Sequence, residues 1–254
     1  MRKMLTVAAS ATATLALAAG AAAQVSTPSG DATLDVSASP SDAGTARNPK
    51  NTKLGFKMVV NKPLTTVEKI TVSLPRGLKF SGKGFKRCSE AILDTTGRTG
   101  CPRGSSAGPR GQARALVGPA SSPAKAPLNF NVYPFVQDSN TFLFYLAQYG
   151  DTRDQEAGVQ RTIKGEIRAK GRRITITIPE DLRKPGGLDA SLVDLAQTFK
   201  GKVGKGSKAK YIVTSIGCRR GSYKTSGTLT FSDRVDGTPT PPPLVMNGAA
   251  DCRK

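Results

Sequence analysis

The sequence contains no histidine and no tryptophan among its 254 residues. Histidine is the commonest general base and zinc ligand, and tryptophan offers the best aromatic face for stacking. Their absence argues against many classes of enzyme. Acidic residues are also scarce, with 18 Asp and Glu against 38 Lys and Arg, so that the formal net charge is +20. A hydrophobic fraction of 37% is low but predicts that a lean core forms.

The first residues have the pattern of a secretory signal peptide. Arg2 and Lys3 precede a stretch rich in Ala, Leu, Val and Thr, which ends in three alanines. We therefore expect a signal peptide over 1–23, cleaved after Ala23, and a secreted protein that is extracellular or associated with the cell wall. No run of 18 apolar residues follows, the longest candidate being 141–148. The sequence thus predicts no transmembrane segment after cleavage, and the mature chain would carry a net charge of +18.

The expected export indicates that the four cysteines form disulfide bonds. An even number of cysteines in an exported chain indicates disulfide bonds, and four cysteines allow three connectivities. Cys88 and Cys101 flank one loop, whereas Cys218 and Cys252 flank the last predicted strands and the tail. We therefore predict the nearest-neighbour pairs, Cys88–Cys101 and Cys218–Cys252. Neither pair has C-x-x-C spacing, and no histidine can complete a mixed zinc site, so no metal site is predicted.

Apolar and polar residues alternate with a period of two over most of the chain, which is typical of half-buried strands. In 173–178, for example, three isoleucines alternate with Arg and Thr, after a tight turn at Lys170-Gly171. The segment 188–199 fits a helical as well as a strand spacing, and we predict a strand because its neighbours are strands. About eleven strands with little or no helix predict an all-β fold, an antiparallel β-sandwich or a jelly-roll-like architecture.

The preferred domain organisation is a single β-sandwich domain over 24–254. The segment 118–127, rich in Ser, Pro and Ala, is the most plausible boundary if there are two domains. A connection of about ten residues is equally ordinary between two sheets. Residues 82–111 carry Gly, Ser and Arg without a clear period, and we predict that they form a long loop crosslinked by its cysteines.

Two groups of residues resemble a pattern of secreted bacterial proteins. The first group is Leu74-Pro75-Arg76-Gly77-Leu78-Lys79-Phe80, Gly84-Phe85, Cys88, Cys101-Pro102, Gly104-Ser105 and Gly108; the second is Cys218, Gly221, Tyr223, Thr230-Phe231, Asp233 and Cys252. Together they resemble uncharacterised secreted β-rich proteins of high-GC bacteria with paired cysteines. The resemblance implies paired cysteines and a β fold, and it implies no activity.

One pair of short motifs matches serine enzymes that interact with penicillin. Ser207-x-x-Lys210 has the spacing of the nucleophile motif, and Lys224-Thr225 resembles the later one. In that family, however, the nucleophile begins a helix far upstream of the second motif, whereas here Ser207 lies in a Lys/Gly loop. The match is therefore interpreted as coincidence.

The carboxylates do not form a convincing catalytic or metal site either. Asp151, Asp154 and Glu156 are the densest group, but they fall short of the six to eight oxygens that calcium requires. Glu180 and Asp181 are adjacent, so on a strand end they point to opposite sides. The sequence therefore predicts no catalytic residue and no cofactor, although a site assembled from distant carboxylates stays open.

Clusters of basic residues are the most distinctive feature of the sequence. Residues 200–224 contain eight Lys and Arg and no acid, and residues 161–184 contain eight with three acids. For any single residue, solubility or protection of a sheet edge is the simpler explanation. For the set as a whole, we predict contact with an anionic cell-wall or extracellular polymer. The predicted contact residues are Lys200, Lys202, Lys205, Lys208, Lys210, Arg172 and Arg173.

The resulting hypothesis is a secreted, disulfide-crosslinked, polycationic protein without catalysis, acting as a binding or structural module for anionic polymers of the envelope or extracellular space. One alternative is a secreted hydrolase whose site is assembled from distant residues. The other is an extracellular nucleic-acid binder, although only Tyr211 and Tyr223 interleave with the basic residues, where base stacking would use more aromatics. The sequence leaves the oligomeric state open.

Overall fold

A computed structural model describes residues 31–61, 66–119, 122, 125–235, 237 and 239–253, together with the backbone of 25–27. The expected signal peptide, 1–23, lies outside the described residues. Within them the protein is all-β with two short helices, which confirms the predicted fold class. No helix in these ranges is both long and apolar enough to cross a membrane.

Seventeen strands and two α-helices are found along the described part of the chain. The strands are β1 (Val25–Thr27), β2 (Ala32–Ser39), β3 (Lys50–Asn51), β4 (Lys53–Val60), β5 (Val67–Ser73), β6 (Leu78–Phe80), β7 (Gly111–Val117), β8 (Ala126–Val136), β9 (Thr141–Tyr149), β10 (Glu156–Arg168), β11 (Arg173–Thr177), β12 (Ala190–Phe199), β13 (Lys202–Val203), β14 (Lys210–Tyr211), β15 (Val213–Ser215), β16 (Ser222–Phe231) and β17 (Leu244–Asp251). The helices are α1 (Glu90–Thr96) and α2 (Glu180–Arg183), and short 3₁₀ turns cover Gly97–Gly100, Pro185–Gly187 and Gly206–Lys208.

Twelve strands form one antiparallel sheet, in the order β1-β17-β16-β5-β11-β10-β9-β8-β7-β12-β4-β2. The sheet curls until its two ends approach each other. A Cβ atom on Gly248 of β17 would lie 2.4 Å from the carbonyl oxygen of Leu34 on β2, so only glycine permits this approach. Beyond the strands, the Ala43 amide donates to the Arg253 carbonyl at 2.7 Å. The result is a nearly closed, barrel-like sandwich.

Alternation of side chains places the main core inside the curved sheet. β2 alternates regularly between buried and half-buried residues, as expected for a strand with one face on a core. Phe199 lies at the centre of an aromatic cluster, with ring centroids 5.0 Å from Phe80 and 5.6 Å from Phe142. Burying each such side chain contributes about 1.5–3 kcal/mol.

Strand β9 is buried on both faces, which explains its long apolar run. Phe142 and Phe144 face the main core, whereas Leu143 and Tyr145 pack against Leu93 of α1 in a second, smaller cluster. Only a strand covered on both sides is expected to be apolar at consecutive positions. The apolar stretch over 141–148 is thus the signature of the strand that lies between the core and α1.

Helix α1 lies inside the segment that we expected to be a loop without regular structure. The Ser89 hydroxyl caps it by accepting from the Ile92 amide at 3.2 Å, and Glu90 occupies its first turn. Gly97, at φ 68°, ends it. Seven residues make only two turns, too few for a helical period to show in the sequence.

Several local predictions are confirmed. Segment 188–199, which fitted two periods, forms strand β12. The turn between β10 and β11 has positive φ at Ala169, Lys170 and Gly171, as a tight hairpin turn requires. At the candidate domain boundary 118–127, β7 pairs with β8, with Val117 opposite Ala126, and the single-domain organisation stays a prediction.

The structure contains both predicted disulfides. Cys88 and Cys101 have Cα atoms 5.2 Å apart and join the residues before and after α1 and its 3₁₀ turn. Cys218 and Cys252 are 5.8 Å apart and tie the segment between β15 and β16 to the end of β17. Disulfides persist in oxidising compartments and are rare in the cytosol, so the pairing favours a protein that folds outside it.

Tyr223 makes stability depend on pH in the alkaline range. Its side chain is buried and its hydroxyl is 2.6 Å from the Ser215 Oγ. Burial raises the pKa of Tyr223 above its usual value of 10.0. The folded state therefore keeps a neutral phenol at a pH where the unfolded state loses the proton. We expect the free energy of unfolding to hold up to about pH 10 and to fall above it.

Urea unfolding between pH 8 and 11 measures this dependence. Tyr223→Phe should lose about 1 kcal/mol near pH 8, because the buried hydroxyl bond is absent, and should show a shallower alkaline fall than the wild type. Burial also raises the pKa of Tyr133 and Tyr145, so the fall should become smaller rather than vanish. A wild-type stability that rises above pH 10 would contradict the assignment.

Candidate functional site

A groove of about 620 Å³ lies where β6, the turn between β10 and β11, and β14 meet. We call it the basic groove, because five of its lining side chains are basic and none of the described residues that line it is Asp or Glu. Charge of one sign on a concave surface focuses the electrostatic field and attracts counter-ions. The five basic lining residues are Lys79, Lys83, Arg168, Lys170 and Lys210.

Close contact between a strand and a turn brings two of these lysines together. In β6, Leu78 and Phe80 are buried, so the alternation directs Lys79 away from the core. The Phe80 amide donates to the Gly171 carbonyl at 2.6 Å. A Cβ atom on Gly171 would lie 2.5 Å from the Phe80 carbonyl oxygen, so glycine is needed for this approach. Lys170 is thereby held beside the β6 strand.

The opposite wall of the basic groove belongs to the small hairpin of β13 and β14. Lys210 and Tyr211 line the groove, and Tyr211 pairs with Lys202 across the hairpin. Residues directly opposite in an antiparallel pair project to the same face, so Lys202 shares the face of Tyr211. The loop between the two strands carries Lys205 and Lys208, both exposed.

The structure brings part of each basic cluster of the sequence to one place. Of the predicted contact residues, Lys210 lines the basic groove, and Lys200, Lys202, Lys205 and Lys208 lie on or next to its hairpin. Arg172 and Arg173 follow the Lys170-Gly171 turn without lining the groove. Arg173 pairs with Arg168 across the β10–β11 hairpin and therefore projects to the face of a lining residue.

Two lining residues, Lys79 and Lys83, were missed by the sequence analysis. Lys79 belongs to the segment that carries the resemblance and Lys83 to the predicted loop 82–111, and the sequence predicts no ligand contact for either. A signal was present, since residues 76–87 contain five Lys and Arg and no acid. The segment is shorter than the other two clusters, and its position beside the turn at Lys170 depends on tertiary structure.

Among the described residues, only one of the five basic side chains of the basic groove has an acidic partner. Arg168 forms an exposed ion pair with Glu166 at 2.7 Å. For Lys79, Lys83, Lys170 and Lys210, the described residues include no carboxylate oxygen within 4.0 Å. The four lysines therefore carry positive charge that no ion pair within the described chain offsets.

Asp154 and Glu156, two of the carboxylates of the 151–156 segment, make contacts within the protein. Asp154 pairs with Arg110 at 2.7 Å, and the guanidinium holds the pKa of Asp154 below its usual value. Glu156 accepts from the Tyr133 hydroxyl and from the Asn131 amide. Burial, with this bond to Glu156, raises the pKa of Tyr133. Glu156 thereby holds the start of β10 against β8, and Asp154 joins the β9–β10 turn to the segment before β7.

The other motifs considered in the sequence are also placed by the structure. The backbone of Ser207 lies in the 3₁₀ turn Gly206–Lys208, not at the start of a long helix, and Thr225 is buried in β16. Asp181 forms an ion pair with Arg161. Across the ranges that the structure describes, no three side chains of His, Cys, Asp or Glu group together as metal ligands.

Comparison with known proteins adds no assignment to this geometry. No family model matches the chain, and neither a curated protein nor a solved structure matches it. The basic groove is therefore the feature from which a function is inferred.

Proposed function

We propose that the protein is a secreted, non-catalytic polycation that binds phosphate-rich anionic polymer of the cell wall or extracellular space in the basic groove. The observation that carries this proposal is the set of five basic side chains around a groove whose described lining residues include no Asp or Glu. The signal-peptide pattern of 1–23 and the two disulfides support the location outside the cytoplasm.

The kind of base in the groove indicates the kind of ligand. Four of the five basic residues are lysines, and the single arginine, Arg168, is engaged with Glu166. Lysine is a flexible point charge, whereas arginine forms fixed, bidentate pairs with phosphate. Flexible lysines can contact a repeating polyanion whose phosphates do not occupy fixed positions in the groove.

The lining also argues against recognition of bases. Proteins that bind single strands usually present several aromatic faces for stacking. In the basic groove, Tyr211 is half-buried and Phe80 is buried in the core. We therefore expect nucleic acid to bind as a polyphosphate, with little preference for sequence.

Replacing the four unpaired lysines of the groove tests the proposal. The variant Lys79→Gln, Lys83→Gln, Lys170→Gln and Lys210→Gln should bind poly(glycerol phosphate) teichoic acid and single-stranded DNA more weakly. Each lost phosphate contact should flatten the slope of log K against log salt by about 0.7–0.9, so the full effect is about 3 units. The measurement is a salt titration of binding, wild type beside variant.

A matched control separates the groove from net charge. Lys53, Lys69, Lys184 and Lys224 do not line the basic groove, and replacing all four with Gln removes the same charge. We expect the control variant to keep a slope within about 1 unit of the wild type. Equal losses in both variants, or no binding of either polymer at low salt, would overturn the proposal and leave solubility as the role of the charge.

The hairpin loop makes a separate prediction. Lys202, Lys205 and Lys208 are exposed beside the groove, and replacing them with Gln should flatten the salt slope by roughly two to three units. Stability should change by less than about 0.5 kcal/mol, because the side chains are solvated. An unchanged slope would confine the binding surface to the groove itself.

A further inference from the structure

The interior of the curved sheet contains an apolar cavity of about 130 Å³ that is partly open to solvent. Native interiors rarely contain voids much larger than a water molecule. In another protein, an engineered apolar cavity of about 150 Å³ remains dry and binds benzene. The apolar cavity of this chain therefore has room for a small hydrophobic group or a short segment of an alkyl chain.

The walls of the apolar cavity change from its inner end to its mouth. Phe144 and Phe199 are buried at the inner end. Leu128, Leu182 and Leu192 also line the cavity, but they are only half-buried and pack against the edge of the core. Covering apolar surface gains about 25 cal/mol per Å². A chain that leaves the cavity along these leucines would continue to gain free energy.

One cation lines this apolar cavity without an acidic partner. The Nε of Arg183, on α2, donates to the Ile178 carbonyl at 3.0 Å, which leaves the two terminal nitrogens of the guanidinium for other acceptors. No carboxylate of the described residues lies within 4.0 Å of Arg183. Arg114 also lines the cavity but is paired with Asp194.

We propose that the apolar cavity binds the alkyl chain of a single-chain anionic amphiphile, with the anionic head group on the guanidinium of Arg183. A hydrophobic pocket with a few convergent polar groups is the usual form of a small-molecule site. Carboxylate and phosphate heads both form charge-assisted hydrogen bonds with arginine. The apolar cavity shares no lining residue with the basic groove, so the two proposals stand or fall separately.

Titration of the intact protein with N-phenyl-1-naphthylamine, an uncharged apolar dye, measures occupancy. The sequence has no tryptophan, so protein fluorescence does not interfere. We expect saturable binding of one dye per chain and displacement by decanoate and by decyl phosphate. Decanol should displace the dye about tenfold less effectively, because it lacks the charge that Arg183 binds. Comparison of the two anionic ligands distinguishes a carboxylate from a phosphate head.

Isoleucine methyl NMR locates the ligand in the wild-type protein. Decanoate should shift the methyl signals of Ile163, Ile174, Ile176 and Ile178, which line the apolar cavity. The signals of Ile212 and Ile216, which do not line it, should stay unchanged. No saturable dye binding together with no methyl shifts would show that the cavity is only a packing void, and would overturn the proposal.

Variants test the pocket and the head-group site independently. Ala115→Trp places a large side chain on the cavity wall and should abolish dye binding, whereas Val159→Trp on the exposed part of β10 should not. Arg183→Gln should weaken decanoate about tenfold while dye binding is retained, and Lys184→Gln, outside the cavity lining, should change neither. Equal affinity of Arg183→Gln and wild type for decanoate would overturn the head-group assignment.

Discussion

Replacing Asp189 with alanine is expected to lower the free energy of unfolding by about 3–5 kcal/mol. Asp189 is 2% exposed and forms an ion pair with Arg234, with 3.7 Å between Nε and Oδ2. Its carboxylate also accepts from the Val235 amide at 3.1 Å and from the Thr66 hydroxyl at 3.1 Å. The substitution removes a buried counter-charge and the acceptor of a buried hydroxyl and of a part-buried amide, which is a far larger loss than that of a surface pair.

Urea unfolding at pH 7 measures the effect, and Asp181→Ala is the matched control. Asp181 is paired with Arg161, but both side chains are about half exposed. Exposed ion pairs contribute about 0–1 kcal/mol, so the control should stay within that range. Asp189→Asn should fall between the two, because it keeps an oxygen acceptor without the charge. An Asp189→Ala protein within 1 kcal/mol of the wild type would contradict the assignment.

Removing the Cys218–Cys252 disulfide is the second change with a large expected effect. Its sequence separation is 34, against 13 for Cys88–Cys101. In the chain-entropy model, closing a longer loop restricts the unfolded state more. The model gives about 4 kcal/mol for Cys218–Cys252 and about 3 kcal/mol for Cys88–Cys101. Either loss is a substantial part of a typical total stability of about 5–15 kcal/mol.

The paired variants Cys218→Ala with Cys252→Ala, and Cys88→Ala with Cys101→Ala, compare the two bonds directly. Each variant keeps the other disulfide and introduces the same number of alanines. The free energies of unfolding should rank wild type, then the variant without Cys88–Cys101, then the variant without Cys218–Cys252. The reverse order of the two variants would show that loop length does not decide the contributions.

The parts of the fold that follow from local physics could be predicted from the sequence. The Ile-Thr alternation of 173–178 gives β11, and Lys170-Gly171 gives the turn before it. The disulfide pairing followed from the positions of the cysteines along the chain. Helix α1 was not predicted, because seven residues are too few to show a helical period. Ser89 and Gly97 are nevertheless ordinary capping residues at its ends.

The candidate site was only partly predictable, because its assembly depends on long-range contacts. The sequence indicated the basic clusters that contain Lys170 and Lys210, but not that they meet. Their meeting depends on the turn at Gly171 lying against β6, about 90 residues earlier in the chain. The apolar cavity was not predictable either. The alternation of apolar and polar residues shows which side chains point inward, but it does not show whether side chains from opposite sides of the sheet fill the space between them.

Closure of the sheet brings together strands that lie far apart in the sequence. Strand β2 packs against β17, which lies more than 200 residues later in the chain, and β5 pairs with β16. Folds dominated by such distant contacts form in milliseconds to seconds. During that interval β4 and β5 expose strand edges that can pair with another chain. The large positive charge of the chain opposes such pairing, because molecules with the same net charge repel each other.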